Sequence, residues 1–157
     1  MHVRAASEAD LGWVEETARA VLGDPFQAHS RRQFHVTDAE LLVAERDGAP
    51  VGFLSWEVDG DWCEVLAIAA VESRTGVGSA LMAAVADAAA SRGCRRIRVV
   101  TTDQNTGAQR FYEGLGYDLA ERIVGGVDEC RRLYKPTIPE GVHDELRYER
   151  SLTGRPN

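Results

Sequence analysis

The chain is poor in the residues that carry cross-links, metals and membrane anchors. Its cysteines are only Cys63, Cys94 and Cys130, odd in number and far apart, with no Cys-x-x-Cys pair. That pattern argues against a disulfide framework and against zinc, and the three thiols read as small buried residues in a reducing compartment. His2, His29, His35 and His143 show no metal-ligand spacing either. No apolar segment reaches membrane-spanning length, and the opening Met-His-Val-Arg does not read as a signal peptide. Positive charge is short as well: Lys+Arg 18 against Asp+Glu 25 leaves a net charge of -7. That balance argues against nonspecific nucleic-acid binding but allows a local basic site for a polyphosphate. The expectation is a cytoplasmic protein with no metal, no nucleic-acid partner and no membrane span.

What is present is ordinary globular material. With 157 residues, 44% hydrophobic and 27% charged, the chain suits one domain with a substantial core. That domain is expected over residues 1–152, with 153–157 as a flexible tail. Val3 to Ala5 reads as a strand, and Ser7 as a helix N-cap with Asp10 at the capping-box position. Leu11, Val14, Ala18 and Leu22 recur at helical spacing. The polar segment from Phe26 to Ala39 predicts a second short helix or an irregular loop. Two β-rich runs, Leu41–Glu45 and Val51–Trp56, flank Asp47-Gly48 and predict a hairpin, which a third strand from Cys63 to Ile68 extends into a meander.

A long helix carrying Leu81, Met82, Val85 and Ala89 on one face ends near Gly93, and the strand around Ile97, Val99 and Thr101 follows. The helix between them allows a parallel crossover. Asn105 opens another helix that stops at Gly114, Tyr117–Val124 predicts a strand, and Asp128–Tyr134 a short helix. The closing strand, His143 to Leu152, alternates Leu146, Tyr148 and Leu152 against Glu145, Arg147 and Glu149.

The most informative stretch runs from Glu64 to Leu81, an apolar strand that feeds a helix through Arg74-Thr75-Gly76-Val77-Gly78-Ser79. Glycine there lets backbone amides converge, and the first turn of a helix favours phosphate. Arg74 adds a forked cation. A mononucleotide P-loop fails, since no lysine follows Gly78. A dinucleotide fingerprint is poor, since Leu81 stands at the third glycine position. A structural turn without ligand is the remaining alternative.

A second motif decides among these. Asn105-Thr106-Gly107-Ala108-Gln109-Arg110-Phe111-Tyr112-Glu113-Gly114-Leu115-Gly116-Tyr117, together with Leu66 to Leu81, resembles the paired motifs of the GNAT superfamily of acetyl-CoA-dependent N-acetyltransferases. The likeness covers nearly the whole chain in element order. It departs at Ser73, where the family has Gln or Arg, and at Ala70, where proline is common. The resemblance implies an α/β (α+β) fold with a mostly antiparallel mixed sheet of about six to seven strands, splayed at the cofactor site and flanked by about four helices.

It further implies acetyl-CoA as acyl donor and an amine as acceptor. Backbone groups at Ala67, Ile68 and Ala70 would pair with the pantetheine arm. Ser73, Arg74, Thr75, Gly76, Val77, Gly78 and Ser79 would surround the pyrophosphate, and Asn105 and Ala108 the lower arm. Family members often pair through their last strands, so a homodimer is among the implied partners. An acyl-CoA-binding regulatory module without turnover is the alternative.

Transfer from a thioester to an amine needs a neutral amine, an oxyanion donor and a proton for the thiolate. With a lysine-like amine near about 10.4 and a thiol near about 8.5, both proton movements need help at neutral pH. Tyr112, with a reference pKa of about 10, keeps its proton and is the expected general acid. Glu64 is the expected general base, directly or through water, and a backbone N–H near Ile68 the oxyanion donor. Phe34, His35 and Trp56 are expected at the acceptor pocket.

Overall fold

The computed structural model describes residues 1–72 and 74–152. The chain enters as β1 (His2–Ala5) and turns through the capping box into α1 (Leu11–Leu22). Asp10 accepts the Ser7 N–H at 2.7 Å and is held by Arg4 at 2.7 and 2.9 Å. That pairing ties the start of α1 to the first strand.

Phe26 to Ala39 departs from expectation. In place of a helix it forms a small hairpin, β2 (Phe26–His29) against β3 (Arg32–His35). The turn residues Ser30 and Arg31 both have positive φ, 53° and 62°, the geometry of a primed hairpin turn. Such turns usually advertise themselves with Asn-Gly or Asp-Gly, and neither is present here.

The meander forms as expected: β4 (Glu40–Arg46), β5 (Ala49–Asp59) and β6 (Trp62–Ala70) pair antiparallel in succession. α2 (Val77–Ser91) then crosses to β7 (Arg96–Thr102), which lies parallel to β6. After α3 (Thr106–Gly114), β8 (Asp118–Ile123) and α4 (Gly126–Leu133), the chain closes as β9 (Glu145–Ser151). The seven-stranded sheet has the order β1-β4-β5-β6-β7-β9-β8.

Neighbouring residues of one strand feed opposite cores, as strand alternation requires. Val43 and Phe53 pack with Val14 and Ala18 of α1, whereas Ala44 and Leu54 pack with Val77, Leu81 and Val85 of α2. The sheet is therefore covered on both faces. The three cysteines are free and buried. Burial pushes the Cys63 thiol up to about 12 and the Cys130 thiol up to about 11, which makes them inert at neutral pH. Among the described residues no helix is long and apolar enough to cross a membrane, and no His/Cys/Asp/Glu group could hold a metal ion.

Candidate active site

The site exists because one strand pair comes apart. β6 and β7 are paired only from Trp62–Arg96 to Val65–Val99, while β6 stays paired with β5 as far as Ala70. Beyond Val65 the two parallel strands splay, and the backbone edge of β6 through Ala67, Ile68 and Ala70 faces a cleft of about 640 Å³. A register shift opposite Ser55–Trp56 leaves Leu66 as an extra residue in β6 just where the splay begins. Bulges re-aim backbone groups in this way, and the Leu66 carbonyl meets His29 Nε2 at 3.1 Å.

One end of the cleft is the glycine turn. Gly76, at φ +82°, caps α2 without a side-chain hydrogen bond, and the first intrahelical bond runs from the Ala80 N–H to the Gly76 carbonyl at 3.0 Å. Among the described residues the amides of Val77, Gly78 and Ser79 meet no acceptor. Arg46 donates to the Thr75 carbonyl at 2.9 Å, and the Thr75 hydroxyl to the Glu72 carbonyl at 3.0 Å, so the turn is braced from behind. Arg74 is exposed on the cleft wall, with φ +62°. Ser73 lies outside the described residues. Asn105 caps α3 by accepting the Ala108 N–H at 3.1 Å, and both line the cleft.

Tyr112 lines the cleft. It is buried, with its ring among Phe111, Tyr117 and Tyr148 at centroid distances of 5.3, 6.0 and 6.0 Å. Among the described residues its hydroxyl has no hydrogen-bond partner. Burial, and after it the neighbouring Tyr117, pushes its pKa well above the usual phenol range. The hydroxyl is therefore a held proton.

The other end of the cleft is built from β2, α4 and the start of β9. His29 and Glu145 both line it. A carbonyl can only accept, so the 3.1 Å contact with Leu66 fixes the His29 proton on Nε2, and Nδ1 then accepts the Ser30 hydroxyl at 3.0 Å. Burial lowers the His29 pKa, which keeps the ring neutral. Glu145 accepts the Ser30 N–H at 3.0 and 3.3 Å. The alternation of the closing strand places Glu145 with the polar set, yet it is 3% exposed, because α4 and the β2–β3 hairpin cover that end of the sheet. Neither residue was legible as a site residue; the hairpin that brings them together has no glycine to announce it.

The remaining expected residues fall elsewhere. Glu64 is buried and paired with Arg98 Nη2 at 3.0 Å, beside the cleft and not on its wall. Trp56 is in the core, with Arg92 over its ring at 5.4 Å. His35 is engaged by Glu15 at 3.3 Å and by the Thr37 hydroxyl at 2.7 Å. Phe34 stacks edge-on against His29 at 5.0 Å, so it supports the wall from behind.

A pantetheine-diphosphate thioester fits these features: free amides for a diphosphate, an unpaired strand edge for an amide-bearing arm, and a buried tyrosine on the same cleft wall. Residues 9–117, more than half of the chain, match the acetyltransferase (GNAT) family. The chain is similar to the uncharacterized protein YdhI of Bacillus subtilis, 33% identical over 119 residues, 75% of this chain and 74% of that one. It is 27% identical over 116 residues to an aminoglycoside N(6')-acetyltransferase type 1 of Salmonella typhimurium, covering 65% of this chain and 80% of that one. Among solved structures, YncA of Salmonella typhimurium with its cofactor acetyl-CoA superposes with a TM-score of 0.72 at 19% identity, over 100% of this chain and 96% of that one. A strand-edge cleft ending in bare helix amides, and a family match that runs from the first helix to Tyr117, have one common source: this chain belongs to the acetyltransferase (GNAT) family, enzymes of acetyl-CoA-dependent acetylation.

Proposed function

We propose that this enzyme transfers the acetyl group of acetyl-CoA directly to a primary amine of a small molecule, with a peptide or protein amine as the wider class. Acetyl-CoA, when bound, supplies the acyl thioester. The amides of Val77, Gly78 and Ser79 with Arg74 hold the diphosphate, and the freed edge of β6 at Ala67, Ile68 and Ala70 pairs with the arm. Asn105 and Ala108 flank that arm at the start of α3, and a β6 amide near Ile68 faces the developing oxyanion.

The observation that carries this reading is the hydroxyl of Tyr112, without a hydrogen-bond partner among the described residues, on the wall of the same cleft as the bare amides. Tyr112 holds a proton for the departing sulfur. The dry surroundings that disfavour its phenolate disfavour a free thiolate equally, so the transfer is not opposed by burial. Glu64, paired with Arg98 and buried on the strand that runs into the cleft, acts as base through water. The small-amine relative supports the acceptor class, although that protein acts on aminoglycosides by its name.

Thiol release across a panel of primary amines tests the reading. Tyr112→Phe should slow turnover by about 100-fold while acetyl-CoA affinity stays within a few-fold. Equal rates for the two proteins would remove Tyr112 from the mechanism.

A further inference from the structure

Two buried carboxylates border the acceptor end of the cleft, and they differ in one respect. Glu64 already has its cation, Arg98, at 3.0 Å. Glu145 has none. It is 3% exposed, lines the cleft, and among the described residues accepts only the Ser30 N–H and a long contact from the Cys130 thiol at 3.5 Å. Among the described residues it makes no ion pair. A carboxylate has about four lone-pair sites, so much of its accepting capacity is left for whatever enters the cleft.

Burying a charge without a partner is costly, and natural proteins rarely do so without a ligand or a reaction to justify it. The position is also built for this side chain. A Cβ on Gly126 would stand 3.0 Å from Glu145 Cγ and 3.2 Å from Cδ, so α4 begins with the one residue that leaves room for the carboxylate. Burial lowers the His29 pKa, which disfavours an imidazolium as the partner of Glu145. The walls around Glu145 are largely apolar, with Ala28, Leu66, Val127 and Ile138, and the cation on this wall is Lys135, whose Nζ donates to the Phe26 carbonyl at 2.9 Å.

We propose that Glu145 seats the ammonium group of the acceptor, and that the acceptor is a primary amine with one positive charge and an apolar body. One carboxylate matches one ammonium, and Lys135 repels a second. This rests on the amine-acetyltransferase reading and places Glu145 ahead of Glu64 on the proton's route. An N–H bond of the seated ammonium breaks as an O–H bond forms on Glu145. The freed lone pair forms the C–N bond to the acetyl carbon, the C–S bond breaks, and the sulfur takes the Tyr112 proton. The acylated nitrogen, still carrying two protons, gives one to the Tyr112 phenolate to leave the neutral amide, and solvent removes the proton from Glu145.

The test measures steady-state kinetics with phenethylamine and with spermine, alongside calorimetry with acetyl-CoA. Glu145→Gln should raise the KM for phenethylamine at least tenfold and lower kcat, with acetyl-CoA affinity within twofold of the parent. Spermine should be turned over at least tenfold less efficiently than phenethylamine by the parent. KM and kcat within twofold of the parent in Glu145→Gln, or spermine used as well as phenethylamine, would overturn the assignment. Should Glu145→Gln not fold, Glu145→Asp is read instead: the withdrawn carboxylate should raise the KM several-fold, and an unchanged KM counts against the seat. A parent that binds acetyl-CoA and acetylates no amine overturns the proposed function itself. A Tyr112-dependent parent with an unimpaired Glu145→Gln overturns only this inference.

Discussion

A Cβ placed on Gly52 would stand 2.5 Å from Cγ1 of Val77 and 2.9 Å from the Ala69 carbonyl oxygen. The two residues therefore fix how closely β5 approaches the first turn of α2, and that turn carries the amides proposed to grip the diphosphate. Gly52→Ala should push Val77 outward. We expect a stability loss of about 1–3 kcal/mol, read by urea denaturation, together with weaker acetyl-CoA binding by calorimetry. Gly12→Ala serves as the control, since nothing lies within 4 Å of its Cβ position on α1. It should be neutral or more stable by up to about 1 kcal/mol.

Arg74 is the exposed cation of the glycine turn. Arg74→Ala should weaken acetyl-CoA binding by about three- to tenfold at low ionic strength, with the difference shrinking as salt screens the contact. A titration at two salt concentrations checks this, and a salt-independent loss would mean that Arg74 acts through the backbone of the turn.

The Glu64–Arg98 pair is buried on the carboxylate side. Arg98→Met should cost about 3–5 kcal/mol by leaving that carboxylate without a cation. Arg98→Met with Glu64→Gln should recover part of the loss, because no charge is then stranded. Thermal denaturation of the single and double variants measures the coupling.

Arg4 holds the Asp10 carboxyl well below the usual carboxylate range, with help from the Ser7 N–H. A group whose folded pKa is depressed contributes stability that is fully present above its unfolded value, about 3.9, and fades as pH falls below it. The Gly125 N–H, and after it Arg122, acts on Asp144 in the same direction. The urea midpoint should therefore fall between pH 5 and pH 3, and Asp10→Asn should make that fall shallower while lowering the midpoint at pH 7.

Ser30 and Arg31 carry positive φ without being glycine. Arg31→Gly should stabilise the hairpin by about 0.5–1 kcal/mol, since the lost Arg31–Glu129 pair at 3.0 Å involves a largely exposed arginine and is worth little. A lower melting temperature for Arg31→Gly would show that the pair outweighs the turn.

Local pattern was enough for a good deal of this molecule. Asp47-Gly48 specified its hairpin, Ser7 with Asp10 its helix start, and Gly76-Val77-Gly78 the bare amides of α2, because each is a contact between residues adjacent in the chain. Family resemblance carried the mixed seven-stranded sheet and the use of acetyl-CoA. The tertiary structure decided what depends on residues far apart. It moved Trp56 and His35 off the acceptor wall, gave Glu64 its arginine, and brought Glu145 under a hairpin formed 115 positions earlier at Ser30. Strand alternation assigns a residue to a face, but whether that face meets water, a helix or a ligand is set by what other segments pack over it.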